Sequence, residues 1–438
     1  MTNPLSKRKR ARRLLEEEVL AIAHDKRLQA KDDPCLANLL FLCSRSDDLQ
    51  YHINLHRYVR EKMLRAARNP DAYFLNLPPR GRLPKPGPGR AVVAYLPNGE
   101  VVTLPLGKTG TSRNVIFCGS IGIGKSNRLM LLVISFAGEC ICIVLSPKGD
   151  MARLAEYNLP GGVVSLNAYG DVRISLAEGL NILPREPHLA QIVGLICSHQ
   201  NIHAASRLLT NLMDDILEKN GNTSLSFSLI LERLRGIDAA RTSKLGGYRD
   251  SLEFALSDII KQSGPTLDYA QSNFIERLLS KPGTYVINTG GLPIKHSSLL
   301  ASLIYRYVYE KRRVTGQIAP PVLICIDDSL PFVSGSHAQE SEGHTAPVAQ
   351  WSTLGRGLGI GLVLCAQNFS LLSPTLRNNT DTIVTGASYG DDVSALARHM
   401  SLTPEQASVL PLLRPGEVVA IARSQWPLAV RGWLPEVR

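Results

Sequence analysis

Three observations predict an α/β fold built on a mainly parallel sheet. Short apolar runs alternate with helical patterns, a glycine-rich loop joins the first of these runs to the first helix, and a later run ends in two carboxylates. The runs cover residues 115–118, 141–145, 163–166, 284–287, 322–326, 361–364 and 382–384. Strands that are apolar on both faces suit a parallel sheet covered by helices. The stretch 129–145 is interrupted by Gly138 and Glu139, so it reads as a buried helix followed by a strand.

Taken in order, residues 1–78 form a basic segment with apolar positions at helical spacing in 14–22, 36–42 and 53–64. Asp32-Asp33-Pro34 and the polar stretch 44–48 separate these patterns as stop-and-start signals. Residues 79–113 begin as a proline/glycine linker, and Pro97-Asn98-Gly99 then marks a hairpin between strands 91–95 and 100–104. Strand–helix alternation occupies 114–184 and resumes over 281–438. Between them, 185–280 lacks strand signals and shows helical periodicity in 189–197, 207–217, 225–234 and 252–260, which predicts an all-α insertion.

Residues 119 to 126 read Gly119-Ser120-Ile121-Gly122-Ile123-Gly124-Lys125-Ser126. This is a complete phosphate-binding loop, lying after a strand and before a helix as its mechanism requires. Gly119, Gly122 and Gly124 allow close backbone approach, and Ser120 lies within the cradle. Lys125 is expected to reach the β- and γ-phosphates of a nucleoside triphosphate, ATP in the reading adopted here, and Ser126 to hold Mg2+ by its hydroxyl. The second half of such a site is legible in Val322-Leu323-Ile324-Cys325-Ile326-Asp327-Asp328. In this arrangement Asp327 stands beside the magnesium, and Asp328 orients or polarises the attacking water.

The motif order resembles the FtsK–HerA superfamily of ring ATPases. The resemblance rests on residues 119–126, Leu145-Ser146-Pro147-Lys148-Gly149-Asp150, 322–328, Gly355-Arg356-Gly357 and Cys365-Ala366-Gln367. It is most similar to the branch containing the coupling ATPases of conjugation and type IV secretion. There the second strand commonly ends in Asp-Pro-Lys-Gly, and Asn181-Ile182-Leu183-Pro184 resembles a following element. The similarity covers roughly residues 90–438 and implies a RecA-like P-loop NTPase fold. It further implies a ring, a hexamer by family expectation, acting on double-stranded DNA, with a relaxase, nuclease or secretion channel as partner. By the same resemblance, Gln367 senses the γ-phosphate and Arg356 reaches the neighbouring subunit's nucleotide, with Arg377 and Arg398 as alternatives. The chain departs from the family at Asp328, usually glutamate, and at Ser146, usually aspartate. It also has the basic helical segment where the coupling proteins carry transmembrane helices.

Charge and cysteine usage bound the setting. The chain carries 49 basic and 38 acidic residues, and +9 of its net +11 falls in residues 1–90. Lys7, Arg8, Lys9, Arg10, Arg12 and Arg13 open that segment, an electrostatic footprint for a phosphate backbone or an acidic partner. Cys118, Cys140, Cys142, Cys325 and Cys365 fall in apolar runs, as free thiols packed like small hydrophobes do. Cys35 and Cys43 are spaced too widely for a zinc finger with His52 and His56. No apolar stretch reaches the roughly 18 residues of a membrane span. These features predict a cytoplasmic protein, with any membrane association made through partners. A small-molecule kinase is disfavoured because no separate substrate motif is visible. The competing class is an ATP-binding switch or scaffold with slow hydrolysis.

Overall fold

The computed structural model describes residues 34–45, 55, 59, 74, 90–96, 101–105, 114–221, 223–238, 240, 242–329, 352–423 and 426–434. The helical pattern 14–22, most of 53–64, the linker and the polar stretch 334–344, which the sequence suggests as a loop, lie outside the described residues. The chain divides into two compact units, residues 1–82 with 402–409 and residues 83–401 with 410–438. In the first, helix α1 (Pro34–Arg45) spans the predicted pattern 36–42. It buries Leu36, Leu40 and Cys43, which share one face at helical spacing.

The second unit is built on a sheet of eleven strands among the described residues. They are β1 (Arg90–Tyr95), β2 (Val101–Pro105), β3 (Val115–Cys118), β4 (Ile141–Ser146), β5 (Val163–Asn167) and β6 (Gly283–Asn288). Then come β7 (Val322–Ile326), β8 (Ile360–Ala366), β9 (Thr382–Thr385), β10 (Glu417–Ala422) and β11 (Trp426–Trp433). The order across the sheet is β2-β1-β11-β10-β9-β3-β8-β7-β4-β6-β5. Pairing from β9 to β5 is parallel throughout. The other four strands, by contrast, extend the β9 side in antiparallel fashion. The predicted fold class is therefore present. Strands β10 and β11 were not anticipated, although residues 418–422 form an apolar run. Only their pairing with β9 and β1 closes that side of the sheet.

Register sets what meets at the strand ends. Cys118 pairs with Ala366, Leu364 with Ile326, and Ile326 with Leu145. The carboxyl ends of β3, β8, β7 and β4 therefore lie side by side, where open parallel sheets bind ligands. Helix α2 (Lys125–Phe136) leaves the loop after β3 and packs over β1 and β8. Leu129, Leu132, Val133 and Phe136 from its buried face join Phe117, Val144 and Cys365 in the core. The five cysteines expected in strand-like runs are buried free thiols.

Between β5 and β6 the chain forms α3 (Arg185–Gln200), α4 (Ser206–Asn220), α5 (Phe227–Arg235) and α6 (Lys244–Ser263). Ser226 and Ser243 cap α5 and α6 by accepting from the Leu229 and Gly246 N–H groups at 3.3 and 3.0 Å. The helical patterns at 189–197, 207–217, 225–234 and 252–260 thus fall on α3 to α6, with α5 beginning two residues later than its pattern. Helix α7 (Ile294–Thr315) follows β6 and packs along α3. Helix α8 (Asp391–Met400) follows β9.

Candidate functional site

The loop after β3 owes its course to its glycines. Gly119, Gly122 and Gly124 have φ of 126°, 83° and 85°, the left-handed region that favours glycine. Ser120 N–H donates to Ala387 O at 2.8 Å, fastening the loop to the chain beyond β9. Gly124 is the residue before α2, so the helix's first amides open into the loop. This placement is a ready phosphate cradle.

Two cationic and hydroxyl side chains then emerge from the first turn of α2. Lys125 Nζ donates to Gly119 O at 2.8 Å and Ser120 O at 2.9 Å, so the ammonium folds back over the loop's own carbonyls. Burial holds its pKa below the ordinary lysine value. Ser126 Oγ lies 3.2 and 3.1 Å from the two carboxylate oxygens of Asp327. Asp327 is 3% exposed, and burial raises its pKa while the Ser126 hydroxyl opposes that shift. A buried carboxylate beside a hydroxyl is a pair of hard oxygen donors that suits a small divalent cation.

The strand between them completes the cluster. Because β8 runs between β3 and β7, Gln367 emerges at its end between the loop and the acidic pair. Gln367 Nε2 donates to Asp328 Oδ1 at 3.3 Å. Asp328 has φ of 55°, uncommon for a non-glycine residue and seen at functional turns. Ser329 pins that turn through two bonds to Cys365 O, from its N–H at 2.7 Å and its hydroxyl at 2.9 Å.

Lys148 is a member of the cluster to which the sequence reading assigned no role. Its Nζ is 2.9 Å from Asp328 Oδ2, and this bond raises the lysine's pKa. The residue was visible within Ser146-Pro147-Lys148-Gly149, but which acid it meets depends on β4 lying beside β7. Ser146 is wholly buried at the end of β4, and its hydroxyl has no hydrogen-bond partner among the described residues.

Thus Lys125, Ser126, Asp327, Asp328 and Gln367 come together with Gly119, Ser120, Gly122 and Gly124. Arg356 lies in the turn Gly355–Leu358 that leads into β8, and its side chain is outside the described residues. The Arg377 guanidinium lies 6.0 Å from the centre of the Phe369 ring, and Arg398 is exposed on α8. Beside the loop, a cavity of about 490 Å³ is bordered by Gly124, Ser126, Asn127, Asp150, Arg153 and Gly416.

No family model and no curated protein matches the sequence. Solved structures do match the fold. VirB4 of Thermoanaerobacter pseudethanolicus is 15% identical, with a TM-score of 0.60 over 81% of this chain and 98% of its own. The bacterial conjugative coupling protein TrwB without its first 70 residues is also 15% identical, with a TM-score of 0.60 over 81% and 90%. TrwB in complex with ADP and Mg2+ gives 15% and 0.57 over 76% and 87%. The chain therefore has the RecA-like α/β fold of these proteins, and the structural likeness agrees with the family resemblance read from its motifs. Among the described residues, no helix is long and apolar enough to cross a membrane.

Proposed function

We propose that this chain is an ATP-hydrolysing, ring-forming motor that moves or delivers double-stranded DNA. The observation that carries the reading is the meeting of Lys125, Ser126, Asp327, Asp328 and Gln367 at the carboxyl ends of β3, β7 and β8. Each group has a task fitted to its chemistry. The loop amides and Lys125 bind the phosphates, and the cavity beside the loop offers room for the nucleoside. Ser126 and Asp327 would hold Mg2+, which supplies charge neutralisation at the β- and γ-phosphates when bound. Asp328 takes the proton of the attacking water, and Gln367 orients that water against the γ-phosphate. Arg356, contributed by a neighbouring subunit of a homo-oligomer, stabilises charge on the transferred group.

The DNA part of the reading is supported by the +9 segment of residues 1–90 and by the likeness to a conjugative coupling protein. A hexamer, and a relaxase, nuclease or secretion channel as partner, follow from the same resemblance, as does a place at the cytoplasmic side of the membrane. ATP hydrolysis by the purified chain, with and without double-stranded DNA, tests the reading. Turnover that rises with DNA and is lost in Lys125→Ala is expected. A DNA-independent rate from an assembled ring would remove the motor.

A second reading is favoured by the Lys148–Asp328 bond. Aspartate is one methylene shorter than glutamate, and its carboxylate is already engaged by Lys148 and Gln367. On this reading the chain is an ATP-binding switch that recruits a partner and turns over slowly. Tight ATP binding with negligible hydrolysis, with or without DNA, is its signature.

A further inference from the structure

Arg128, one turn into α2, is 2% exposed. Its Nη2 donates to Ile123 O at 3.0 Å and to Glu417 O at 3.4 Å, and its Nη1 to Cys118 O at 3.5 Å. Among the described residues its hydrogen-bond partners are all main-chain carbonyls. The Glu417 carboxylate is used elsewhere, by Arg431 and by the Arg414 N–H, both within 3.0 Å. A guanidinium buried against carbonyls alone is costly to desolvate, and burial lowers its pKa to about 10, so it stays charged at neutral pH. Such an arrangement calls for a function. Only the arginine fork has donors enough to bridge the strand end, the loop and β10 at once.

The bonded carbonyls explain what it does. In a planar trans peptide the C=O and the following N–H point in opposite directions. Holding Ile123 O therefore aims Gly124 N–H the other way; Cys118 O, held by Gly386 N–H at 3.0 Å with Arg128 Nη1 as a longer second donor, aims Gly119 N–H. Lys125 also grips loop carbonyls, but it must release them to reach a phosphate. The Arg128 bonds have no need to break. Gly386 leaves room both for the loop's Ile123 side chain, which an added Cβ would meet first, and for the guanidinium, whose Nη2 would lie 2.8 Å from that Cβ.

We propose that Arg128 is a positioning residue that presets the phosphate loop, turning the Gly119 and Gly124 amides toward bound phosphate and tying the loop to β10. The proposal rests on the nucleotide-binding reading above. Gly386 belongs to the same packing, because a methyl group there presses on both the guanidinium and the loop's Ile123.

The test uses the full chain and a fluorescent ATP analogue, labelled on the ribose, in magnesium buffer. Arg128→Lys keeps the charge but not the fork and is the deciding variant, while Gly386→Ala keeps the arginine but crowds it together with Ile123. Both are expected to bind the analogue about tenfold more weakly, the loss of one charge-assisted hydrogen bond. Hydrogen exchange should quicken over residues 119–126 while the remaining strands exchange as before, a local change that general destabilisation does not produce. Folded variants that bind like the unaltered chain would overturn the proposal. Should neither variant fold, the unaltered chain decides: slow exchange over 119–126 without nucleotide supports a preset loop, and exchange as fast as in exposed turns overturns it. Lys125→Ala separates the two levels. If it binds the analogue as well as the unaltered chain, the nucleotide-binding reading fails and the role of Arg128 falls with it.

Discussion

The carboxyl ends of β3, β8, β7 and β4 and the helical region between β5 and β6, together with α7, both bury charged groups, but they use them differently. At the strand ends the polar contacts are exchangeable. Lys125 rests on loop carbonyls, Ser126 and Asp327 meet at 3.1–3.2 Å, and Gln367 reaches Asp328 at 3.3 Å. In the helical region the polar groups hold the main chain. Glu178 Oε1 accepts from the Ile275 and Glu276 N–H groups at 2.6 and 3.2 Å. Arg306 Nη2 donates to Glu178 O at 3.0 Å, while the His188 ring nitrogen Nε2 pairs with Leu176 O at 2.7 Å. Ser263 and His296 likewise pair at 2.9 Å with both residues wholly buried, so they join helices and meet no substrate. Perturbed side chains thus mark two kinds of place. The candidate site keeps its groups on strand ends and loosely engaged, whereas the structural network spends them on backbone and on other buried side chains.

The largest effect that would break this contrast is expected at Lys125. Lys125→Ala should lower ATP hydrolysis about a thousandfold, the scale of losing a principal electrostatic contact to the reacting group. Urea denaturation of the helical region should be unaffected. Hydrolysis measured by phosphate release near the unaltered rate would show that the strand ends are not the site. Asp328→Asn comes next, with ATP binding retained and turnover reduced about a hundredfold, the lower range for a general base. Single-turnover kinetics separates the two quantities, and a loss of binding instead would place Asp328 among the phosphate contacts.

A pH experiment sharpens the other half of the comparison. Burial raises the Glu178 pKa from 4.5 to about 7. The folded chain therefore holds this proton more tightly than the unfolded one. Its contribution to stability is complete below pH 4.5 and is lost as pH rises through about 7. Glu178→Gln keeps the oxygen that accepts the two amides and removes the titration. Relative to the variant, the unaltered chain should lose about 2 kcal/mol between pH 4.5 and 7 in chemical denaturation. Parallel stability curves for the two proteins would contradict this. His188, whose pKa burial lowers to about 3, acts in the opposite sense and is common to both proteins.

The smallest effect is expected at Lys148, which is exposed. Exposed ion pairs are worth up to about 1 kcal/mol. Lys148→Met frees the Asp328 carboxylate oxygen that the lysine occupies, so turnover should rise about two- to fivefold at saturating ATP. A fall in turnover would make Lys148 a positioning group for that carboxylate.

Much of the fold was legible because its signals are local. Glycine spacing in 119–126 states where the backbone turns, and uninterrupted apolar runs state which strands are covered on both faces. The break at Gly138 and Glu139 separated α2 from β4 for the same reason. Helical periodicity likewise located α3 to α6 with only their ends displaced. Strands β10 and β11 escaped because what makes them part of the sheet is pairing with β9 and β1, more than thirty residues away in the first case.

By itself, then, the sequence determined the chemistry available to this chain: a phosphate loop, a strand ending in Asp327 and Asp328, and a basic segment at its beginning. Only the tertiary structure decided which groups share a bond. That Gln367 meets Asp328 depends on β8 lying between β3 and β7. That Lys148 meets the same acid depends on β4 lying on the other side of β7. Arg128 gives no sign of its role in sequence, since an arginine one turn into a helix is ordinarily a solvated side chain. Its role arises when packing against β10 and the loop excludes water and leaves main-chain carbonyls as its partners. Local pattern is set by neighbours along the chain, while hydrogen-bond partners are set by strand order and register, which no short stretch of residues contains.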